Sequence, residues 1–365
     1  LGIEIDVLKV GEGTKSGEAV TLRMGNLRGD RAEQLVVLID GGFPGDGRKI
    51  VRHISKNYST DKVDLVVVTH PDRGHTGGIM AVLEEMSVGE VWMHLPWRHS
   101  IELGDLFAEG TVAGPNLDQE AKETYRDLHR IFEFCNDKEH RIPMTEPFSD
   151  GSPNGLAKWG VTVLGPTKAF YESLLPGFQG APNSKRRKPP FSGLRRYFKR
   201  FVADDGWTEN LEDPADGETS QENNSGVILS VVCDGQLHLF TADAGKEGLT
   251  AAIDQLKSRP FGQLPLRVFK VPNHGSRHNI GPTILDAIIG PTAASFTRSE
   301  VCAVISATEK DLEHPSGAVT NAINRRGARA FVTSAITTYF QKDAPRRSGV
   351  HSAVELPLYA EVDAN

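Results

Sequence analysis

The sequence predicts an α/β fold, on three observations. Short apolar runs of strand length alternate with segments of helical period along most of the chain. Several of those runs are apolar throughout, as strands covered on both faces are. Four of them end in an aspartate or histidine close to glycine, and α/β architectures gather their sites at strand ends.

The totals set the bounds. A chain of 365 residues can bury a substantial core without disulfides. It reads as a single domain over 1–365, with insertions at about 97–150 and 167–222. The net charge of -7 lacks the global Lys/Arg excess of a nucleic-acid-binding chain. Cys135, Cys233 and Cys302 are widely spaced and form no CxxC pair, so neither a disulfide framework nor a cysteine zinc site is indicated. Cys233 and Cys302 lie in apolar runs and are expected to be buried thiols of a reducing, cytoplasmic compartment. No stretch approaches the roughly 20 apolar residues of a membrane helix, and no signal peptide is visible.

The elements follow in order. Ile3, Ile5, Val7 and Val10 alternate with polar neighbours, as do residues 19–24, which predicts half-buried strands. Residues 35–39 predict a fully buried strand closed by the turn Asp40-Gly41-Gly42. Residues 49–58 predict a helix, and 63–69 the next buried strand. Its exit is the most informative stretch of the chain, Thr69-His70-Pro71-Asp72-Arg73-Gly74-His75-Thr76-Gly77-Gly78. His70, Asp72 and His75 fall within six residues on a turn, and imidazole with carboxylate suits zinc or manganese. Residues 79–86 predict a helix and 88–95 a strand. The first insertion carries a charged amphipathic helix over 119–135, and 159–164 returns to strand.

The second insertion has an uneven charge. Residues 185–188 and 195–200 hold eight basic residues and no acid, whereas 204–222 holds eight acids and no base. With Phe191, Tyr197, Phe198 and Phe201, the basic half could track a nucleic-acid backbone and stack bases. The competing reading is a solvated excursion whose basic half folds against its acidic half.

The core then resumes with strands at 227–233 and 236–241, joined by the hairpin signal Asp234-Gly235. The second strand ends in Asp243-Ala244-Gly245. A helix at 249–256 leads to a strand at 266–271 that ends in Asn273-His274-Gly275-Ser276. A helix at 282–289, a strand at 301–306, the loop with His314-Pro315 and a helix at 319–326 follow. Strands at 330–332 and 337–340 are expected to close the sheet.

The four strand ends would gather His70, Asp72, His75, Asp243 and His274. That set could hold one or two divalent ions. An open metal position lowers the pKa of a bound water and supplies a nucleophile at neutral pH.

With these motifs in order, the chain resembles the metallo-β-lactamase-fold hydrolases. Within them it looks like the hydrolase domain of bacterial competence (DNA-uptake) proteins and its stand-alone relatives. The resemblance runs through Val10-Gly11-Glu12-Gly13, Leu38-Ile39-Asp40-Gly41-Gly42, residues 69–78, Phe240-Thr241-Ala242-Asp243-Ala244 and residues 270–276. It continues to His314-Pro315 and Gly327-Ala328-Arg329, and it omits the two insertions. It implies a four-layer αββα sandwich with the metal site at one edge of its two sheets. By position it implies that His70, Asp72, His75, Asp243 and His274 are ligands, with Asp243 bridging two metals and Asp40 orienting the ligand loop.

The chain also departs from the family pattern. An aspartate that ligates the second metal usually precedes the last histidine of the first motif, and here that position is Gly74. Asn223 and Asn224 stand near the family's remaining first-site histidine and could act at most as weak or water-mediated ligands. Arg73 could bring a positive charge to the site. Two functional readings follow. One is a phosphodiesterase acting on nucleic acid or nucleotides through a metal-bound hydroxide. In it, Asp72 and His314 are catalytic and the backbone of Gly275 and Ser276 contacts phosphate. The other is a degenerate binding or regulatory subunit with one metal or none, meeting a protein partner through the insertions. His314 could equally anchor its loop. The remaining histidines read as ordinary surface or core residues, with His278 close enough in sequence to border the cleft.

Overall fold

The computed structural model describes residues 1–100, 103, 117–151, 154–179, 181, 201–203, 209–292, 298–348 and 352–363. The first half of the chain supplies β1 (Gly2–Val7), β2 (Gly11–Glu12), β3 (Lys15–Ser16), β4 (Val20–Gly25) and β5 (Gln34–Ile39). It continues with β6 (Lys62–Val68), β7 (Ser87–Met93), β8 (Met144–Thr145) and β9 (Val161–Gly165). Then come β10 (Phe201–Ala203), β11 (Ile228–Cys233), β12 (Gln236–Phe240), β13 (Leu266–Lys270) and β14 (Cys302–Ile305). The last strands are β15 (Arg329–Val332), β16 (Thr338–Lys342), β17 (Val354–Glu355) and β18 (Glu361–Asp363).

Two seven-stranded sheets result, ordered β16-β1-β4-β5-β6-β7-β8 and β17-β15-β14-β13-β12-β11-β9. Each has a parallel half, β5 to β8 in the first and β12 to β15 in the second. The helices with described bounds are α1 (Gly47–Tyr58), α2 (Arg73–Thr76), α3 (Ile79–Glu85), α4 (Gln119–Asn136) and α5 (Lys168–Leu174). They continue with α6 (Gln221–Asn224), α7 (Lys246–Lys257), α8 (Pro282–Ile288) and α9 (Gly317–Arg325).

Three apolar clusters define four layers. Ile3, Ile5 and Val37 of the first sheet meet Leu229, Val231 and Val268 of the second between the sheets. Outside the first sheet, Ile50 and Ile54 of α1, Val82 of α3 and Leu128 of α4 form one helical layer. Outside the second, Leu249 of α7, Leu285 of α8 and Ile323 of α9 form the other. Each fully buried aliphatic side chain in these clusters contributes about 1.5–3 kcal/mol of transfer free energy. The expected αββα sandwich is the observed one. The Asp234-Gly235 hairpin also forms, with both residues at positive φ, 48° and 70°.

Three local expectations are corrected. Strand β1 is buried on both faces, because Glu4 and Asp6 lie under a polar network and not in water. Arg347 bonds Glu4 Oε1 at 2.9 Å and Asp6 Oδ1 at 2.9 Å, Arg23 pairs with Glu4, and the Tyr58 hydroxyl donates to Asp6 at 2.8 Å. Strand β16 does not close the second sheet. It crosses over and pairs antiparallel with β1 at the edge of the first. Cys302 is partly exposed, whereas Cys135 and Cys233 are buried.

The insertions connect to the body where they are described. Helix α4 is capped by Asp118, which accepts the Ala121 N–H at 2.8 Å, and its Glu123 pairs with Arg73 at 2.8 Å. The basic blocks at 185–188 and 195–200 lie outside the described residues, as do the side chains of the four aromatics. Three of the described acids find partners on the body of the fold. Glu209 bonds Arg326 at 2.6 Å, Asp216 pairs with Lys246 at 2.9 Å and Glu218 with His278 at 2.7 Å. No helix among the described residues is long and apolar enough to cross a membrane.

Candidate metal centre

The parallel halves of the two sheets present the ends of β5, β6, β12 and β13 to one another, and the polar side chains meet there. The stretch 69–78 leaves β6 and closes at once into α2. Asp72 caps that turn, accepting the Gly74 N–H at 2.7 Å. The paired glycines are required by close packing. A Cβ on Gly78 would lie 2.1 Å from the Gly41 carbonyl oxygen, so the two loops could not approach.

Asp243 is the hub. Its Oδ2 lies 3.5 Å from His75 Nε2, 3.8 Å from His70 Nε2 and 4.0 Å from His274 Nε2. The ligand-type atoms of His70, His75 and Asp243 fall within 4.8 Å of one another, and all three residues are buried. Among the described residues, His70 Nε2, His75 Nε2 and Asp243 Oδ1 have no hydrogen-bond partner. Buried polar atoms of a native fold are nearly always partnered. Three such atoms converging, with neutral-imidazole and carboxylate chemistry, fit a divalent cation.

The outer nitrogens are held in place. His75 Nδ1 bonds Asp40 Oδ2 at 2.7 Å, His70 Nδ1 is 2.9 Å from the Thr69 hydroxyl, and His274 Nδ1 donates to the Ser306 carbonyl at 2.8 Å. Asp40 also accepts the Thr69 N–H at 2.8 Å and the Thr69 hydroxyl at 2.7 Å. Such partners fix imidazole orientation and raise ligand basicity. Electrostatics follow from burial and crowding. Burial pushes His70 below the usual imidazole range, aided by its neighbour His75, and pushes His274 down to about 4. Burial opposes charge on His75 too, but Asp243 and Asp40 outweigh it and hold it well above that range. Asp243 lies well below the carboxylate range, because His75 and His274 overcome its burial.

Backbone strain concentrates on the same loops. Asp40, Ala242, Asn273 and His274 adopt positive φ of 60°, 46°, 39° and 54°. Each such non-glycine residue costs on the order of 1–3 kcal/mol and persists where the surroundings over-determine it.

Several expected residues have other partners. Asp72 caps α2 and lies outside the His70–His75–Asp243 group. Asn224 braces the Asp243 turn, with Oδ1 accepting the Gly245 N–H at 3.0 Å and Nδ2 donating to Glu247 at 3.1 Å. The N–H groups of Gly275 and Ser276 close their own turn on the Pro272 and Asn273 oxygens, both at 2.9 Å, so they do not face outward for a phosphate. Arg73 is paired with Glu123 and His278 with Glu218. His314 stands on the rim, its ring 6.0 Å from that of His274. Beside Asp72 a cavity of about 90 Å³ is lined by Asp72, Asp118, Glu120, Thr124, Tyr125 and Glu222.

Three contributors escaped the sequence reading. Asn279 is buried and donates to the Asp243 carbonyl at 2.8 Å while accepting from Asn273 at 2.7 Å. Glu18 and Lys270, both fully buried, form an ion pair at 2.6 Å between the two sheets, and the Glu18 N–H donates to the Gly74 carbonyl at 3.0 Å. A charged residue inside an apolar run was the available signal for Lys270.

No curated protein matches the sequence. Among solved structures, a diphosphatase of the PhnP family aligns over 93% of this chain and 98% of its own, at 10% identity and a TM-score of 0.39. Rm3 metallo-beta-lactamase aligns over 73% of this chain and 76% of its own, at 14% identity and a TM-score of 0.29. Residues 31–288, well over half of the chain, match the sequence profile of the metallo-beta-lactamase superfamily. The chain therefore belongs to the metallo-beta-lactamase superfamily.

Proposed function

We propose that this protein is a metal-dependent hydrolase of phosphodiesters, acting on nucleic acid or nucleotides. The observation that carries the hydrolase reading is the convergence of the unpartnered His70 Nε2, His75 Nε2 and Asp243 Oδ1 beside His274. The choice of a phosphodiester rests on the resemblance to competence-type hydrolases.

In this reading His70, His75, Asp243 and His274 would hold zinc or manganese. The bound ion would supply Lewis acidity, lowering the pKa of a water and countering charge on the non-bridging oxygens. Asp40, Thr69 and the Ser306 carbonyl hold the three imidazoles by their Nδ1 atoms, which leaves each Nε2 toward the centre. Burial of the ligand set excludes bulk water and strengthens every charge interaction. His314 on the rim gives a proton to the leaving oxygen as the P–O bond breaks. One water is consumed, and its oxygen stays on phosphorus.

A second reading, a binding or regulatory subunit, is favoured by two observations. Gly74 offers no ligand to a second metal. Among the described residues the cavity beside Asp72 is lined by four carboxylates and no basic side chain, which disfavours a phosphodiester unless cations intervene.

The test is metal content with activity. The purified chain, reconstituted with zinc or manganese, should carry at least one ion and hydrolyse bis(p-nitrophenyl) phosphate. His70→Ala should lose both. Metal binding without metal-dependent hydrolysis of phosphodiesters would move the assignment to the binding subunit. No metal uptake would remove the enzyme reading.

A further inference from the structure

The rim histidine does not stand alone. His314 Nδ1 lies 3.1 Å from Asp311 Oδ2. The same Oδ2 accepts the Ser16 hydroxyl at 2.7 Å, and Ser16 Oγ in turn accepts the Thr308 N–H at 3.0 Å. Asp311 Oδ1 accepts the N–H groups of Glu313 and His314 at 3.0 and 3.1 Å. Ser16 belongs to β3 in the N-terminal hairpin, so the contact joins two parts of the chain 295 residues apart. On the other side, Lys15 of the same hairpin reaches Glu120 of α4 at 2.7 Å.

The chemistry of this cluster has one consistent assignment. The Asp311 carboxylate receives bonds from backbone N–H groups and a hydroxyl, so it acts as an ionised acceptor. Although burial opposes its ionisation, the bonds from His314 and Ser16 hold it well below the usual carboxylate range. An ionised acceptor at 3.1 Å requires a proton on His314 Nδ1. The imidazole is then held by Nδ1 from behind, which leaves Nε2 as the atom able to exchange a proton with a ligand.

We infer that Asp311 is the positioning residue of the rim histidine, fixing the Nδ1–H form and the ring orientation of His314, and that Ser16 of the N-terminal hairpin holds Asp311 in that geometry. The inference deepens the hydrolase reading by giving His314 a defined donor atom. Because one leg of the arrangement comes from the hairpin, proton donation depends on how the hairpin sits against the 308–314 loop.

The test has two arms. In the intact 365-residue chain without metal, isotope-labelled histidine NMR should show His314 in the Nδ1–H form. Asp311→Asn should shift it toward the other tautomer, and the milder Ser16→Ala should do so in part. A His314 tautomer unaltered in folded Asp311→Asn would overturn the inference, whatever the activity. In the reconstituted protein, Asp311→Asn should lower kcat by about 100-fold with KM little changed, because a general acid acts on the transition state. An unchanged kcat in the variant of an active enzyme would also overturn it. A wild-type protein inactive on phosphodiesters, with the NMR result as expected, would remove the hydrolase reading and leave the Asp311–His314 pairing standing.

Discussion

Asp40 holds His75 by its Nδ1 at 2.7 Å, and through that single bond the end of β5 sets the direction in which an imidazole of the neighbouring loop faces Asp243. Asp40 gains its reach from a left-handed backbone, φ 60°, and accepts two further bonds from Thr69. Asp40→Asn should therefore lower metal affinity by about 10- to 100-fold, since it weakens a bond behind a ligand and not the ligand itself. Calorimetric titration with zinc checks this. Affinity equal to that of the wild type would mean that His75 needs no support from Asp40.

Gly74 is tightly enclosed. A Cβ there would lie 3.2 Å from Asp72 Oδ1, 3.2 Å from the Ser16 carbonyl oxygen and 3.3 Å from Phe43 Cζ. Gly74→Asp should cost about 1–3 kcal/mol in the metal-free protein, because the neighbours must yield and two carboxylates are brought together. Added metal should restore more stability to the variant than to the wild type, with a second ion taken up. Thermal melts with and without zinc read this directly. Equal metal-induced shifts would mean that residue 74 does not reach the centre.

The Glu18–Lys270 pair ties the 69–78 loop to the strand that leads into the His274 turn. Its burial pushes Glu18 up to about 7, against the pull of Lys270. Lys270→Met should destabilise the fold by about 3–5 kcal/mol, because it leaves a carboxyl group buried without a counter-charge. The double variant Glu18→Gln/Lys270→Met should recover much of that loss. Urea unfolding of the wild type, Glu18→Gln, Lys270→Met and the double variant gives the cycle, and additive losses would show that the two residues act independently.

Asp6 predicts the acid limb of stability. Burial raises its proton affinity, but His53 and Arg347 outweigh it and hold Asp6 below the usual range. A depressed carboxylate stabilises the fold above its unfolded pKa, near 3.9, and that contribution is lost as pH falls through the folded value. Asp6→Asn should thus flatten the loss of stability below about pH 4 while lowering stability at pH 7. A variant with the wild-type acid profile would place the acid sensitivity elsewhere.

Much of the cluster was legible in the sequence because its side chains are local to strand ends. An apolar run closed by His or Asp and glycine marks a strand and its exit loop together, so His70, His75, Asp243 and His274 could be named one by one. Asn224 braces the Asp243 turn and the N–H groups of Gly275 and Ser276 close their own turn, contacts that the sequence does not spell out. Their donors and acceptors are satisfied by turns whose closure depends on φ values that side-chain identity does not encode. Strand β1 looked half-exposed because Glu4 and Asp6 are charged. Their cover, Arg347, comes from the far end of the chain.

The sequence by itself determined the alternation of elements, the αββα architecture through its ordered motifs, and the residue types available to a metal. Those follow from local periodicity and from chemistry carried by neighbouring residues. The tertiary structure alone decided that β16 joins the first sheet and that Glu18 meets Lys270. It also decided that Asp311 stands behind His314 with Ser16 behind it. Each of these unites segments far apart in the chain, and such pairings are set by how the two sheets stack and where the loops close, which no local pattern records. The stretch from Thr69 to Gly78 supplies its own side chains, but their direction is fixed by Asp40 and Asp243 from other strands.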